Sequence, residues 1–328
     1  MKRPTFWLIA AGVFALSTAA CNRDNMTGIA AISPRVEGST KKLTDAIAFF
    51  TRQFNTVDGG LAVMSVDGSG RRPLAGGELG FEPSISPDGR RIAFSRNTDV
   101  GVTSVYVMNV DGSGTAPVAQ GIVLNPGPVW SPNGCQVAFR SSLETQGGPV
   151  GRISIVNADG TGLRQVSREP GPNEFAFDES PTWSPDGARL AFTRNGFLYV
   201  MNADGTGLTA LPNEDGALNP SWSPDGQRIA YSSGGEIHMR NPDGSNLVRV
   251  TTAAEGTFDF WPRWSPDSRR LVITHVTGDQ IEIVTINADG TNPVNLTPAG
   301  VLDFMPDWSR QSSEGNNDDQ GVQKCQGV

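Results

Sequence analysis

From about residue 42 to residue 309, apolar side chains come in short runs that alternate with polar ones. The runs "RIAFSR" (91–96), "QVAFRS" (136–141), "RLAFTR" (189–194), "RIAYSS" (228–233) and "RLVITH" (270–275) share one pattern. A second set, "VYVMNV", "ISIVNA", "FLYVMN", "IHMRNP" and "IVTINA", follows each of them in turn. Period-two alternation over four to eight residues, rich in β-branched and aromatic side chains, predicts half-buried strands. The segments between are "PDG", "NG" and "ADGTG", whose Pro, Asn, Asp and Gly favour tight turns. The pattern therefore predicts an all-β chain of short antiparallel strands.

The strands recur as a unit. A marker "WSPDG" stands at Trp183 and Trp222, with variants at Ile85, Trp130, Trp264 and Trp308, giving spacings of 45, 53, 39, 42 and 44 residues. Repeats of about 40–50 residues that hold four strands each are the signature of propeller blades. Five units are complete, beginning at Pro83, Pro128, Pro181, Pro220 and Pro262, and a sixth has only "PDWS" at Pro306–Ser309. Its missing strands match "AIAFFTR", "LAVMSVDGSG" and "RRPLAG" near the other end of the chain. The expected fold is a six-bladed β-propeller with four antiparallel strands per blade. The sixth blade is stitched from N- and C-terminal strands, which leaves no open sheet edge at the join.

The "P-x-W-S-P-D-G…I-A-F" and "I-Y-V-M-N-A-D-G" repeats resemble those of the TolB-type six-bladed β-propeller family, also described as WD40-like or PD40 repeats. The resemblance covers about residues 42–309. It implies a protein-binding role in the bacterial cell envelope rather than an enzymatic one. TolB carries an α/β domain ahead of its propeller. Here residues 22–41 read as a linker, so functions that use that domain are not carried over.

Residues 1–21 have a basic start (Lys2, Arg3), an apolar run from Phe6 to about Ala20 and then Cys21. That is the layout of an export signal. Cys21 after small residues resembles the lipidation site of a bacterial lipoprotein, although Thr18 stands where such signals usually have Leu. The other reading is an ordinary signal peptide cut near Ala20. Both give an exported protein, periplasmic or anchored at the outer membrane or cell surface, touching membrane only through the lipid. Cys135 and Cys325 remain, and in an oxidising compartment they could pair. The sequence does not show whether they meet. Residues 310–328 are polar and are expected to be disordered apart from Cys325.

A net charge of −8 argues against nucleic acid, which rewards basic patches. The 39 Gly and 23 Pro suit a protein of many turns. The motif Trp is expected to fill the gap between blades. The arginines after each turn (Arg90 or Arg91, Arg189, Arg228, Arg270) are expected to pair with acids of neighbouring blades or to be solvated. Function is sought where the blades differ, in the loops ahead of each motif proline. Counting three residues back gives Gly80, Asn125, Asp178, Ala217, Asp259 and Asp303, with Glu82 and Glu179 close by. The candidate partner-binding rim is therefore Glu82, Asn125, Asp178, Glu179, Asp259 and Asp303. Such a ring could hold a basic peptide segment or a hydrated cation. No other cofactor or metal is expected, since only His238 and His275 are available as imidazole ligands. The chain also has no nucleophile elbow and no room for a hydrolase domain. The expected protein is a monomeric, non-catalytic scaffold that binds an envelope protein or peptide segment. The alternative is a carbohydrate-active propeller hydrolase or lyase using paired carboxylates.

Overall fold

The computed structural model describes residues 42–53, 59–99, 102–122, 127–145, 148–168, 176–212, 216–310 and 325. The expected signal, linker and Cys21, and all of the tail but Arg310 and Cys325, lie outside them. The described chain forms six four-stranded sheets, and none of its helices is long and apolar enough to cross a membrane. Each sheet is an antiparallel meander. Blade 2, for example, runs Gly80–Ile85, Arg91–Asp99, Val102–Asn109 and Ala116–Ile122 from its inner to its outer strand. The inner strands of blades 4, 5 and 6 are Asp178–Trp183, Ala217–Trp222 and Thr257–Trp264, and that of blade 3 is only Val129–Trp130. Blade 1 is the composite. Val301–Trp308 pairs with Ala46–Gln53, followed by Gly59–Ser65 and Arg72–Glu78.

Buried residues fall into six clusters that each join two successive blades. The alternation of the second strand explains this. In "IAF" the large Ile92 and Phe94 face blade 1, and the small Ala93 faces blade 3, where Trp130 fills the space it leaves. Ala138, Ala191 and Ala230 make the same room for Trp183, Trp222 and Trp264. Three of these indoles also reach back a blade. Trp130, Trp183 and Trp264 donate Nε1–H to the carbonyls of Ser84, Val129 and Ser221 at 3.0, 3.3 and 3.0 Å. A buried indole N–H needs such an acceptor.

The repeated arginines do not mainly pair with acids. Arg91, Arg189, Arg228 and Arg270 lie over Trp130, Trp222, Trp264 and Trp308 of the next blade, 4.5, 4.8, 4.5 and 5.0 Å from the ring centroids. Arg91 and Arg228 also donate to the carbonyls of Gly134 and Ser268 in the next blade's turn. A guanidinium is weakly hydrated and stacks on aromatic faces, so the indole competes well with a carboxylate in water. Where Ile85 replaces the Trp, the preceding blade has Ala46 in the arginine's place.

The turn after the Trp is built alike in every complete blade. In blade 6, Ser265 Oγ donates to Asp267 Oδ1 at 2.6 Å and accepts the Arg270 N–H at 2.9 Å. The turns of neighbouring blades meet one another around one face. An added Cβ on Gly134, Gly187 or Gly226 would lie 3.7, 3.8 or 3.3 Å from Pro87, Pro132 or Pro185 in the turn of the preceding blade.

The opposite end of each inner strand carries a feature that propensity would not suggest. The residue before every motif proline has a positive φ: Glu82 +51°, Gly127 +52°, Ser180 +54°, Asn219 +51°, Trp261 +49° and Met305 +56°. In blades 2, 4, 5 and 6 the strand register shifts at this point. Each is a bulge, and the proline fits beside it because it has no N–H to offer the ladder. Left-handed backbone at a non-glycine residue costs of order 1–3 kcal/mol, and such strain clusters at functional sites.

Candidate functional site: the mouth of the channel

These positive-φ residues meet between neighbouring blades. Glu82 Oε2 accepts the Gly127 N–H of the next blade at 2.9 Å, and Asn219 Nδ2 lies 3.4 Å from Ser180 Oγ of the preceding blade. One arc of this mouth is polar: Glu82, Ser180 and Asn219. The other is apolar. Phe81, Phe304 and Met305 form a seventh buried cluster, with Phe50, Trp261 and Ile281 packed against it. Phe50 and Phe304 lie 4.8 Å apart, and Trp261 meets Phe260 edge-on at 5.8 Å.

Aligning the blades by register isolates two residues. Phe81 pairs with Ser95, Leu218 with Ser232, Phe260 with Thr274 and Phe304 with Phe50, but blade 4 pairs Glu179 with Thr193. An acid thus stands in a column that is otherwise apolar among the described residues. The equivalents of Ser95, Thr193, Ser232 and Thr274 include Arg140 in blade 3, fixed by the pairing of Val129 with Ala138. These two departures meet: Arg140 Nη1 donates to Glu179 Oε2 at 3.1 Å. Gly127 is the one residue of the positive-φ set without a side chain, and an added Cβ there would lie 3.9 Å from Glu82 Oε1.

Glu82 completes the cluster, its Oε2 also accepting the Ser95 hydroxyl at 2.8 Å. Burial pushes the Glu82 carboxyl above the usual range, against the pull of Ser95, Arg140, Gly127 and Arg263. Burial raises Glu179 as well, against Arg140, with Glu82 and Asp178 adding repulsion. Burial lowers Arg140 and Arg263. Further along the inner strands, Arg263 Nε lies 3.8 Å from Asp307 Oδ1, and Asp307 Oδ2 accepts the Ile85 N–H at 2.7 Å.

The other rim candidates are placed differently from the expectation. Asp178, Asp259 and Asp303 lie in the inner strands, not in the loops ahead of them. The strands start earlier than the proline-based count allows, because the bulge lets pairing continue beyond it. All three are buried, and each is held by a base. Asp178 takes Arg194 at 2.6 and 2.9 Å, Asp303 takes Arg71 at 2.5 and 2.7 Å, and Asp259 takes His275 Nδ1 at 2.7 Å. Asp178 and Asp259 bind their cross-strand partners, as opposed charges do on a sheet face. Thr277 Oγ1 lies 2.9 Å from the far nitrogen of His275. The carboxylate Asp259 holds the His275 proton, raising the imidazole above its usual range. Asn125 lies outside the described residues. Glu82 and Glu179 are therefore the rim acids that the structure brings together. Arg140, which bonds Glu179 and attracts Glu82 electrostatically, was readable in the sequence as the one charge in the hydroxyl column of "RIAFSR", "RLAFTR", "RIAYSS" and "RLVITH". His238 stacks on Tyr231 in blade 5 at 6.0 Å, and burial lowers its imidazole. Among the described residues, no group of three or more His, Cys, Asp or Glu side chains could hold a metal ion.

Fold and mouth together define a closed six-bladed propeller with a repeated, structural turn face and an irregular axial opening. The model of the PD40 family, the TolB β-propeller domain, matches residues 34–311, and the chain belongs to that family. A TolB homologue of Chlorobium luteolum is 34% identical over 119 residues, 36% of this chain. The match spans only 24% of that relative's own length. The crystal structure of TolB from Acinetobacter baumannii superposes with a TM-score of 0.65 at 18% identity, covering 82% of this chain and 68% of that one. The propeller domain of the trilobed protease of Pyrococcus furiosus, described as having an open velcro topology, gives 0.51 at 14% identity over 77% of this chain and 95% of its own. At these identities the structural likeness speaks for fold alone.

Proposed function

We propose that this propeller is a non-catalytic protein-binding scaffold of the bacterial cell envelope, exported and anchored by a lipid on Cys21. A segment of a partner protein enters the mouth between the Glu82–Arg140–Glu179 cluster and the apolar arc of Trp261 and Met305. The carrying observation is the Arg140–Glu179 pair. A buried ion pair is on average no more stabilising than the apolar and hydroxyl residues that other blades use at these positions. Its presence at the axis is therefore better accounted for by recognition than by stability. Family membership supports the envelope setting, and the reading needs no cofactor and no nucleic acid.

The test is capture from envelope extracts with the wild type and with Arg140→Ser/Glu179→Leu, which restores the pattern of the other blades. Partners recovered by the wild type and lost by the variant are expected; identical recovery overturns the mouth as the binding site. Mass spectrometry of the mature N-terminus checks the anchor, since an unmodified terminus removes it. The competing reading, a carbohydrate-active enzyme, rests on Glu82 and Glu179 as paired carboxylates. Turnover of an oligosaccharide panel that is lost in Glu179→Gln would favour it.

A further inference from the structure

Cys135 and Cys325 form a disulfide, with Cα atoms 5.4 Å apart and 190 residues between them in sequence. Cys135 is 4% exposed and sits directly after the Asn133–Gly134 turn of blade 3. At the equivalent position the other complete blades have Arg90, Ala188, Gln227 and Arg269, so this link belongs to one blade alone.

Its partner follows, in sequence, the one inner strand that no covalent turn joins to the second strand of its blade. In five blades a covalent turn joins the inner strand to the second. In blade 1 that turn is absent, because the inner strand is the last strand of the chain and the second is the first. Only non-covalent contacts span the gap: Ala46 N–H to Ser309 Oγ at 3.0 Å, Ser309 N–H to Ala46 O at 2.9 Å, the ladder beyond, the Phe50–Phe304 contact and the Arg71–Asp303 pair. Without another tie, Val301–Trp308 can leave Ala46–Gln53 while each remains attached to its own end of the chain. The disulfide fastens the chain fifteen residues past Arg310 to blade 3, two blades round the ring from that gap.

We propose that the Cys135–Cys325 disulfide is an oxidative lock on ring closure. With the bond formed, a detached inner strand stays tethered to the turn face, so it re-pairs at a higher effective concentration than a strand held from one side only. A cross-link closing so long a loop also removes much of the freedom of the unfolded chain. Formation is a two-electron exchange. Both thiols lose their protons, one S–S bond forms, and a protein or small-molecule disulfide takes up the two electrons and two protons to become two thiols. A dithiol reverses it.

Hydrogen exchange resolved by segment tests the lock, on the full mature chain with and without a dithiol reductant, and on Cys325→Ser. Amide exchange in Val301–Trp308 and Ala46–Gln53 is expected to rise by about ten-fold or more on reduction and in the variant, with the inner strands of blades 4 and 5 unchanged. Unchanged exchange at the join overturns the lock. So does an equal rise in all blades, which would be general stabilisation, or a non-reducing peptide map showing both thiols free. Cys325→Ser leaves buried Cys135 in place, so a local change is not confused with a packing defect.

Discussion

The two faces of the propeller are written by the same repeat and come out differently. On the turn face, the bond from Ser to Asp (Asn133 in blade 3) recurs in all five complete blades, the turn glycine in four of them and the stacked Arg–Trp pair at four junctions, with distances that differ by a few tenths of an ångström. At the mouth, the six equivalent bulge residues are Glu82, Gly127, Ser180, Asn219, Trp261 and Met305, with no two alike. Repetition within one chain thus does the work of an alignment. A residue that every blade shares serves the blade, and one that a single blade has is free to serve something else.

The contrast can be broken most severely on the turn face. Trp130→Ala removes a fully buried indole and its bond to Ser84, and is expected to cost about 4 kcal/mol in denaturant unfolding. A mouth variant should behave in the opposite way. Glu179→Leu alone strands Arg140 beside a single remaining acid and should cost about 2 kcal/mol. The pair Arg140→Ser/Glu179→Leu should recover that loss or exceed it while abolishing partner capture; a double variant less stable than Glu179→Leu would mean that the pair is architectural. A smaller effect concerns His275. Its folded pKa is raised, so its stabilisation is fully present below the ordinary imidazole value and is lost as pH rises through the folded one. The margin of wild type over His275→Gln in thermal melts should therefore shrink on going from pH 6 to pH 9; a constant margin would show that the Asp259 contact does not depend on charge. The smallest effect belongs to the exposed turns "DGT" and "DGS". Asp204 and Asp243 are lowered by bonds from Thr206 and Ser245, so their contribution is present above the ordinary carboxylate value and lost as pH falls through the folded one. Asp204→Ala should lower stability at neutral pH and leave it unchanged near pH 2; an equal loss at both would point to turn geometry instead.

Blade number, strand order and the composite blade were legible in the sequence, because each follows from the spacing of Trp, Pro and Gly and from period-two alternation. Contacts between repeats were not. Arg228 over Trp264 joins residues in different units, and no local pattern states which neighbour a side chain will meet. The rim was half legible. Glu82 and Glu179 were identified as candidates, but Asp178, Asp259 and Asp303 were read as loop acids when the bulge had extended the strand past them. A left-handed residue before proline runs against local preference, so the sequence argues against the very feature that repeats in every blade. Arg140 could have been found by stacking the second strands, where it alone breaks a column of hydroxyls with a charge.

The hydrogen bonds between Ala46 and Ser309 carry one more consequence. The first and last described strands lie side by side, so the point at which the ring is cut is arbitrary with respect to the architecture. A chain re-ordered to begin at the exposed Asn195–Gly196 hairpin of blade 4, with the old termini fused by a short linker, should build the same closed ring. In that molecule the composite blade would be continuous and the join would move elsewhere. The present origin of the chain is then one choice among several that give the same object.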